Sequence, residues 1–311
     1  MDSQLKNKYL SHIQRSTQWF KENLQKNGCV GTVSEDILSC YTMPYLYANV
    51  GLREEAFRSI NYILDRFSTH DGGFKRNFND KNSATMSERL PKVMSWLGIA
   101  AHQIGRFEIS YLLSKYVRSY YDPEQGAFTA IAPYGQVEAV LDSFSTTMLG
   151  WLALTMGDLQ KAERAGNFLQ RINSLQTNKD QVFYLRLEQD GKLITNCAAK
   201  DECYYWVTSQ KSEHNIHYLN MAVIFLAKLF HATKEESYLR SAQAYLETVN
   251  NYSEVTNAFT AWGAATLANI TREQRYVDKA QEILAEVMEQ PIDNSIRLIV
   301  LSECVMELSV C

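Results

Sequence analysis

Residues 50–55, Val-Gly-Leu-Arg-Glu-Glu, end one apolar helical run and begin a charged, amphipathic one. Glycine just past a helix end is the usual left-handed stop, and acidic side chains suit the first turn of the next helix. Four further junctions share this design: Ile-Gly-Arg-Phe-Glu (104–108), Met-Gly-Asp-Leu-Gln (156–160), Ala-Thr-Lys-Glu-Glu (232–236) and Ile-Thr-Arg-Glu-Gln (270–274). Five tight helix-to-helix turns imply six helix pairs.

The helices on the two sides of these junctions belong to different classes. Those before a junction are apolar nearly all round, as in Met-Ala-Val-Ile-Phe-Leu-Ala (221–227), and such a helix must be buried nearly all round. Those after a junction carry one apolar stripe with positions three and four apart. The first class is predicted at roughly 34–50, 85–104, 142–156, 214–232, 254–270 and 293–310, and the second at roughly 3–26, 52–68, 106–121, 158–176, 234–251 and 272–289.

Buried and half-buried helices alternate strictly, which predicts an inner ring of helices inside an outer ring. We therefore expect an all-α fold, an (α/α)6 barrel or toroid, with residues 1–311 as one domain. The alternating segment Val182–Thr195, centred on Asp190-Gly191, predicts one small β-hairpin insertion. The junction spacings place the long loops on the face where the inner helices begin. Function is expected at that face, because loops carry function and helix N-termini favour anions.

The composition excludes several classes of protein. The net charge is −4 and no Lys/Arg run exceeds two residues, which argues against nucleic acid as a partner. The polar N-terminus predicts no signal peptide, and the apolar stretches carry polar breaks that argue against membrane insertion. The six cysteines lack a CxxC spacing and are typical of reduced thiols in a cytoplasmic protein. A small-molecule substrate is the expected partner, no cofactor is implied, and the oligomeric state stays open.

Three residues are candidates for catalysis. Asp142 follows the apolar residues Ala-Val-Leu (139–141), where a carboxyl would have a raised pKa and act as a general acid; Asp36 is comparable. His217 would shuttle the proton. The alternative for both aspartates is a helix N-cap. His214 and His217 are three apart, a spacing that would allow a metal ligand pair, as would Asp201 with Cys203, but no metal site is predicted.

A larger set of residues is predicted to bind substrate at the same mouth. Aromatic faces there would hold a sugar, a flat ring or a developing cation, while polar groups would bind its substituents. The alternatives are ordinary core packing for the aromatics and capping for the polar groups. The predicted set is Tyr41, Glu88, Arg89, Phe144, Tyr205, Trp206, His214, Tyr218, Asn257, Trp262 and Arg297.

Similar loops follow three of the outer helices: Thr-His-Asp-Gly-Gly-Phe (69–74), Asp-Pro-Glu-Gln-Gly-Ala-Phe (122–128) and Lys-Asp-Gln-Val-Phe (179–183). These loops resemble the repeat of the terpenoid cyclase and protein prenyltransferase α/α toroid superfamily. The resemblance implies a toroid with a central pocket. The Asp-x-Asp-Asp motif of the cyclases is absent, and only Asp201-x-Cys203 matches the prenyltransferase zinc triad.

Three functions remain open from these observations. The preferred one is an enzyme of the lyase or isomerase type, in which an acid/base step cyclises or rearranges a small biosynthetic metabolite. The second is a carbohydrate-active epimerase or hydrolase on an α/α barrel, in which carboxylates and histidine transfer protons. The third is a non-catalytic helical-repeat binding protein, which would form an open arc. The apolar final helix favours a closed ring over an open one.

Overall fold

A computed structural model describes residues 3–31, 36–70, 72–75, 90–209, 215–252, 257–289 and 294–310. The helices in these ranges are α1 (Ser3–Glu22), α2 (Met43–Asn49), α3 (Arg53–Phe67), α4 (Leu90–Gln103), α5 (Phe107–Val117), α6 (Ser143–Thr155), α7 (Leu159–Leu175), α8 (Glu202–Tyr205), α9 (His217–Thr233), α10 (Glu236–Tyr252), α11 (Ala258–Thr271), α12 (Gln274–Val287) and α13 (Ser295–Leu308). None of the helices in the described ranges combines the length and the apolar composition that a membrane span requires.

The inner ring consists of α2, α4, α6, α9, α11 and α13. Each packs against the next, and α13 returns to α2, so the ring is closed. The outer helices α3, α5, α7, α10 and α12 each pack on the inner helix that precedes them, whereas α1 packs on α13. The predicted (α/α)6 barrel is therefore confirmed, and its closure differs from the open arc expected of a helical-repeat binding protein.

The junctions have the geometry that their sequences predict. Gly51, Gly105 and Gly157 have φ angles of 81°, 84° and 80°, in the left-handed region that glycine enters without strain. Lys234 and Arg272 adopt the same region, with φ of 63° and 61°, as the C-caps of α9 and α11. Each residue stops an inner helix and turns the chain directly into the next outer helix.

Short strands occupy the long loops of the opposite face. The strands β1 (Tyr121–Asp122), β2 (Ala127–Ala130), β3 (Val140–Asp142) and β5 (Arg186–Leu187) form one antiparallel sheet in the order β1-β2-β3-β5. The strand β4 (Val182–Tyr184) pairs instead with β6 (Trp206–Thr208). The predicted hairpin is present only near its turn, where Leu187 bridges Leu193, because β4 and β5 pair with strands elsewhere in the chain.

Close approach of neighbouring helices, both within the inner ring and between the two rings, depends on glycines in the inner helices. A Cβ added to Gly150 of α6 would lie 2.8 Å from both Ala165 Cβ and Phe225 Cζ. A Cβ added to Gly98 of α4 would lie 2.8 Å from Leu152 Cδ1. These separations are shorter than van der Waals contact, so the small residues set the distance at which neighbouring helices pack.

Aromatic rings fill the interior of the inner ring. The ring centroid of Trp96 lies 4.6 Å from that of Tyr45, 5.8 Å from that of Trp151 and 6.4 Å from that of Trp262. The Trp151 and Trp262 centroids are 5.6 Å apart. Most of these pairs meet edge to face, the arrangement that the ring quadrupoles favour. These four rings join four inner helices across the barrel axis.

A buried carboxyl lies beside this aromatic cluster. Glu303 of α13 is 5% exposed, and its Oε1 accepts a hydrogen bond of 2.5 Å from the Tyr45 hydroxyl. Burial raises the pKa of Glu303, although the Lys228 ammonium and the Tyr45 hydrogen bond act in the opposite direction. The same desolvation raises the pKa of Tyr45 well above its ordinary range. The interior thus favours a neutral Glu303.

We predict that Glu303 makes the stability of the fold depend on pH. The pKa of Glu303 is higher in the folded chain than in the unfolded chain. Above the ordinary pKa of 4.5, the folded chain therefore keeps a proton on Glu303 that the unfolded chain has lost. The free energy of unfolding therefore falls from there up to the raised pKa. Glu303→Gln, which still accepts from Tyr45, should remove this decline and be more stable than wild type at pH 8. Urea unfolding at pH 5 and pH 8 tests this, and equal pH slopes for the two proteins would contradict it.

Candidate functional site

Asp142 ends β3 and caps α6. Its Oδ2 accepts hydrogen bonds from the backbone N–H of Ser145 at 2.6 Å and from the Ser145 hydroxyl at 2.7 Å. Its Oδ1 accepts a hydrogen bond of 3.0 Å from Arg186 Nε. Asp142 is therefore the N-cap of α6, which was the alternative role given to it. Both carboxylate oxygens are therefore engaged, one by the start of α6 and the other by Arg186, and the predicted role of Asp142 as an acid stays a prediction.

Arg186 was not anticipated from the sequence. Its side chain is 2% exposed, and its guanidinium carbon lies 4.4 Å from the ring centroid of Tyr205 and 5.9 Å from that of Tyr204. Arg186 thus connects the capped start of α6 to the aromatic residues 204–206, where α8 meets β6 and where two predicted substrate-binding residues lie. Strand alternation does not single it out, because Leu185 and Leu187 on either side are buried as well.

His217 begins α9 and lies among aromatic rings. Its ring centroid is 4.5 Å from that of Tyr218, 5.9 Å from that of Phe144 and 5.8 Å from that of Phe259. Phe144 and Tyr218 stack on each other with centroids 3.8 Å apart. Residues from the starts of α6, α9 and α11 therefore enclose one imidazole.

A cation lies next to the same rings. Lys92 Nζ, in the first turn of α4, is 5.6 Å from the ring centroid of Tyr41 and 6.0 Å from that of Phe144. Phe144 is therefore shared by Lys92 and His217. We call this group, which comprises Tyr41, Lys92, Phe144, His217, Tyr218 and Phe259, the mouth cluster. It brings together four of the sequence-predicted site residues, which come from α6, from α9 and from the segment before α2.

The other residues predicted to belong to the site cap helices, line a cleft or lie in the interior of the barrel. Asp36 caps the short 3-10 helix Ile37–Ser39, where its carboxylate accepts a hydrogen bond of 2.9 Å from the Leu38 N–H. A helix N-cap was the alternative role given to Asp36. Asn257 caps α11 by accepting from Phe259 N–H at 3.0 Å. The expected rim position of Trp262 is wrong: it is fully buried inside the ring, because α11 directs it against Trp96 and Trp151.

A cleft of about 270 Å³ adjoins the mouth cluster at Phe259. Arg297 lines it at the start of α13, together with Asn257 and Asn294, and Glu286 of α12 lines its outer side.

Trp206 lies in β6 and meets Tyr184 edge to face, with centroids 6.1 Å apart. Glu88, Arg89 and His214 lie outside the described residues, so their roles as substrate-binding residues stay predictions. Within the described part, no group of three metal-ligating side chains includes Asp201 or Cys203.

The sequence matches no protein-family model and no curated protein. Its structure is similar to that of a D-mannose isomerase, with a TM-score of 0.76 and 12% identity over 98% of each chain. A GH76 α-mannanase of Bacteroides thetaiotaomicron gives a TM-score of 0.67 at 10% identity, covering 96% of this chain and 95% of the other. An inactive α-1,6-mannanase of Salegentibacter sp. with α-1,6-mannotriose gives 0.62 at 12% identity, covering 98% and 99%.

The expected relationship to terpenoid cyclases and protein prenyltransferases is wrong, because these structural neighbours are carbohydrate-active α/α barrels. The loops that suggested it have a geometric explanation. Gly72 and Gly126 take φ of 93° and 67° to turn the chain, and Phe74 and Phe128 anchor each loop in the core. In any α/α barrel the chain must turn from an outer helix back to an inner helix, and a loop of this kind makes that turn. The loop sequence therefore does not identify one family.

We predict that the Asp142–Arg186 pair matters for stability because it is buried. Arg186→Met leaves an unpaired carboxylate in the interior and should lower the free energy of unfolding by about 3–5 kcal/mol. The matched control is Lys161→Met, since Lys161 pairs with Asp158, an exposed N-cap, and such pairs contribute at most about 1 kcal/mol. Adding Asp142→Asn to Arg186→Met should recover part of the loss, because asparagine still caps α6. Urea unfolding measures all four proteins, and equal losses for Arg186→Met and Lys161→Met would contradict the prediction.

Proposed function

We propose that this chain is a carbohydrate-active enzyme that isomerises a small sugar at the mouth of the barrel. The observation that carries the proposal is the enclosure of the His217 imidazole by Phe144, Tyr218 and Phe259 beside the Lys92 ammonium. Similarity to a D-mannose isomerase over nearly the whole chain supports the same class of substrate. Aromatic faces suit the apolar C–H face of a sugar ring, and nitrogen groups suit its oxygens.

The reaction would be a proton transfer between adjacent carbons of an open-chain sugar. Neutral His217 takes the proton from C2 of an aldose, the C2–H electron pair forms the C1–C2 double bond, and the carbonyl oxygen takes a proton from water. The resulting enediol then loses the proton of its C2 hydroxyl to water and gains one at C1 from the His217 imidazolium, which yields the ketose and regenerates neutral His217. Lys92 would stabilise the negative charge that develops on the oxygen. Imidazole suits this task because it exchanges a proton near neutral pH.

Glycoside hydrolysis is the second candidate, and the similarity to mannanases favours it. That reaction uses a pair of carboxyl groups on either side of the bond that breaks. The two candidate carboxylates among the described residues, Asp36 and Asp142, both act as caps, and Asp142 is also bound to Arg186. This arrangement favours isomerisation over hydrolysis.

The two candidates predict different products, and one experiment distinguishes them. The protein is incubated in D2O with D-mannose, D-glucose or D-fructose. NMR follows the interconversion of aldose and ketose and the entry of deuterium at C1 of the ketose and at C2 of the aldose. A parallel incubation with α-1,6-mannotriose follows release of mannose. We expect isomerisation of at least one free sugar and no cleavage. Cleavage of α-1,6-mannotriose without deuterium exchange would support hydrolysis and contradict isomerisation. No reaction with any of these sugars would contradict both proposed functions.

His217→Asn should lower the isomerisation rate by about 10²–10⁴-fold, because general acid–base catalysis contributes that much. The matched control is His231→Asn, which changes an exposed histidine at the opposite end of the same helix and should keep the wild-type rate. Circular dichroism confirms that both variants fold. A His217→Asn variant with the wild-type rate would contradict the role given to His217.

A further inference from the structure

The outward face of α5 is apolar. Phe107, Tyr111 and Leu112 are 58%, 64% and 54% exposed. Phe107 and Tyr111 are four residues apart and so lie on one side of the helix. Phe57 of α3, 43% exposed, extends this surface, and the Arg106 guanidinium lies 4.3 Å from its ring centroid. We call Phe57, Phe107, Tyr111 and Leu112 the α5 patch.

Other outer helices present charge at comparable positions. Arg240 and Glu247 are exposed on α10, and Asp278 and Glu282 are exposed on α12. A polar outer face is what a helix between core and water requires. The large apolar side chains grouped on α5 and extended by Phe57 of α3 therefore indicate a surface that another molecule covers.

We propose that the α5 patch is the contact between two copies of this chain, related by a two-fold axis that pairs α5 with its counterpart in antiparallel orientation. The charges flanking the patch support this occupant. Glu108 and Lys115 are both exposed and lie equally far along the chain from the midpoint between Tyr111 and Leu112. Antiparallel pairing about that midpoint brings Glu108 of each copy against Lys115 of the other. Tyr111 of each copy then meets Leu112 of the other.

Self-complementarity of this kind is what a two-fold interface requires, because the same surface must fit itself. A parallel pairing would instead place Glu108 opposite Glu108 and Lys115 opposite Lys115. The α5 patch offers roughly 400 Å² of apolar surface per copy, given the size of aromatic side chains. A standard interface buries about 800 Å² per partner, with an apolar centre and a polar rim. The patch is large enough to be that centre, and its charged neighbours form the rim.

Sedimentation equilibrium tests the contact directly. The wild-type average mass should rise with protein concentration from 35.7 kDa toward twice that value. Tyr111→Ser with Leu112→Ser should keep the mass at the monomer value, and these exposed positions leave the core unchanged. The matched control is Leu175→Ser, at an exposed apolar position on α7, which should dimerise like wild type. Circular dichroism confirms folding of each variant.

Charge reversal tests the antiparallel orientation. Glu108→Lys alone and Lys115→Glu alone each place like charges opposite one another twice, so each should weaken dimerisation at least tenfold. Mixing these two variants restores two attractive pairs and should produce heterodimers at the wild-type affinity. Arg240→Glu, on the outward face of α10, is the control and should leave dimerisation unchanged.

Three results would overturn the proposal. The first is a wild-type protein that stays monomeric at the highest concentration tested, which would assign the α5 patch to a different protein or to none. The second is a dimer that survives Tyr111→Ser with Leu112→Ser. The third is a failure of the two charge variants to associate on mixing. None of these outcomes depends on the sugar chemistry proposed for the mouth cluster.

Discussion

The constraint on which the structure depends is that its inner helices have no face to present to water. Helices such as α6, α9 and α11 are buried along nearly their whole length. Each must therefore be covered by two inner neighbours, by an outer helix and by side chains in the barrel interior. Closure of α13 onto α2 satisfies this requirement for every member of the ring. The glycines of α4 and α6 allow the close approach that it demands.

The same constraint decides where polar chemistry occurs. Inside the ring, a carboxyl such as Glu303 persists beside a Tyr45 hydroxyl with its pKa raised by burial. Toward the inner-helix starts, aromatic residues are joined by Lys92 and His217, and polar caps such as Asp142 satisfy the exposed N–H groups. The aromatic interior and the mouth cluster meet at Phe259, whose ring stacks over that of Trp262 with centroids 6.3 Å apart. The mouth thus combines a rigid apolar base with nitrogen-bearing groups.

Much of the architecture was predictable because it follows from local chemistry. Gly51, Gly105 and Gly157 mark the inner-helix ends, and the contrast between apolar and striped helices separates the two rings. The position of His217 at a helix start was predictable in the same way. The aromatic residues around it were predicted as a group, but their mutual contacts depend on how five chain segments converge, which the sequence does not state.

The remaining features depend on contacts between residues far apart in the chain. Asp142 has the same sequence signal whether it caps α6 or acts as an acid, and the sequence does not reveal its contact with Arg186, which comes from a different strand. Trp262 looks like a rim residue by its place near a helix start, yet the packing of Trp96 and Trp151 draws it into the interior. The loops with glycine and phenylalanine predicted the wrong family because they meet a geometric need shared by many barrels.

The position of α1 has a consequence for how the chain folds. Because α1 packs on α13, the first described helix has its principal partner in the last one. During synthesis α1 emerges from the ribosome long before α13 has been made. Its apolar stripe therefore stays uncovered while the intervening helix pairs assemble by local contacts. Loop closure between such distant segments is entropically slow. Docking of α1 is thus expected to be the final step of folding, and an exposed α1 stripe is the surface that a chaperone would meet on the nascent chain.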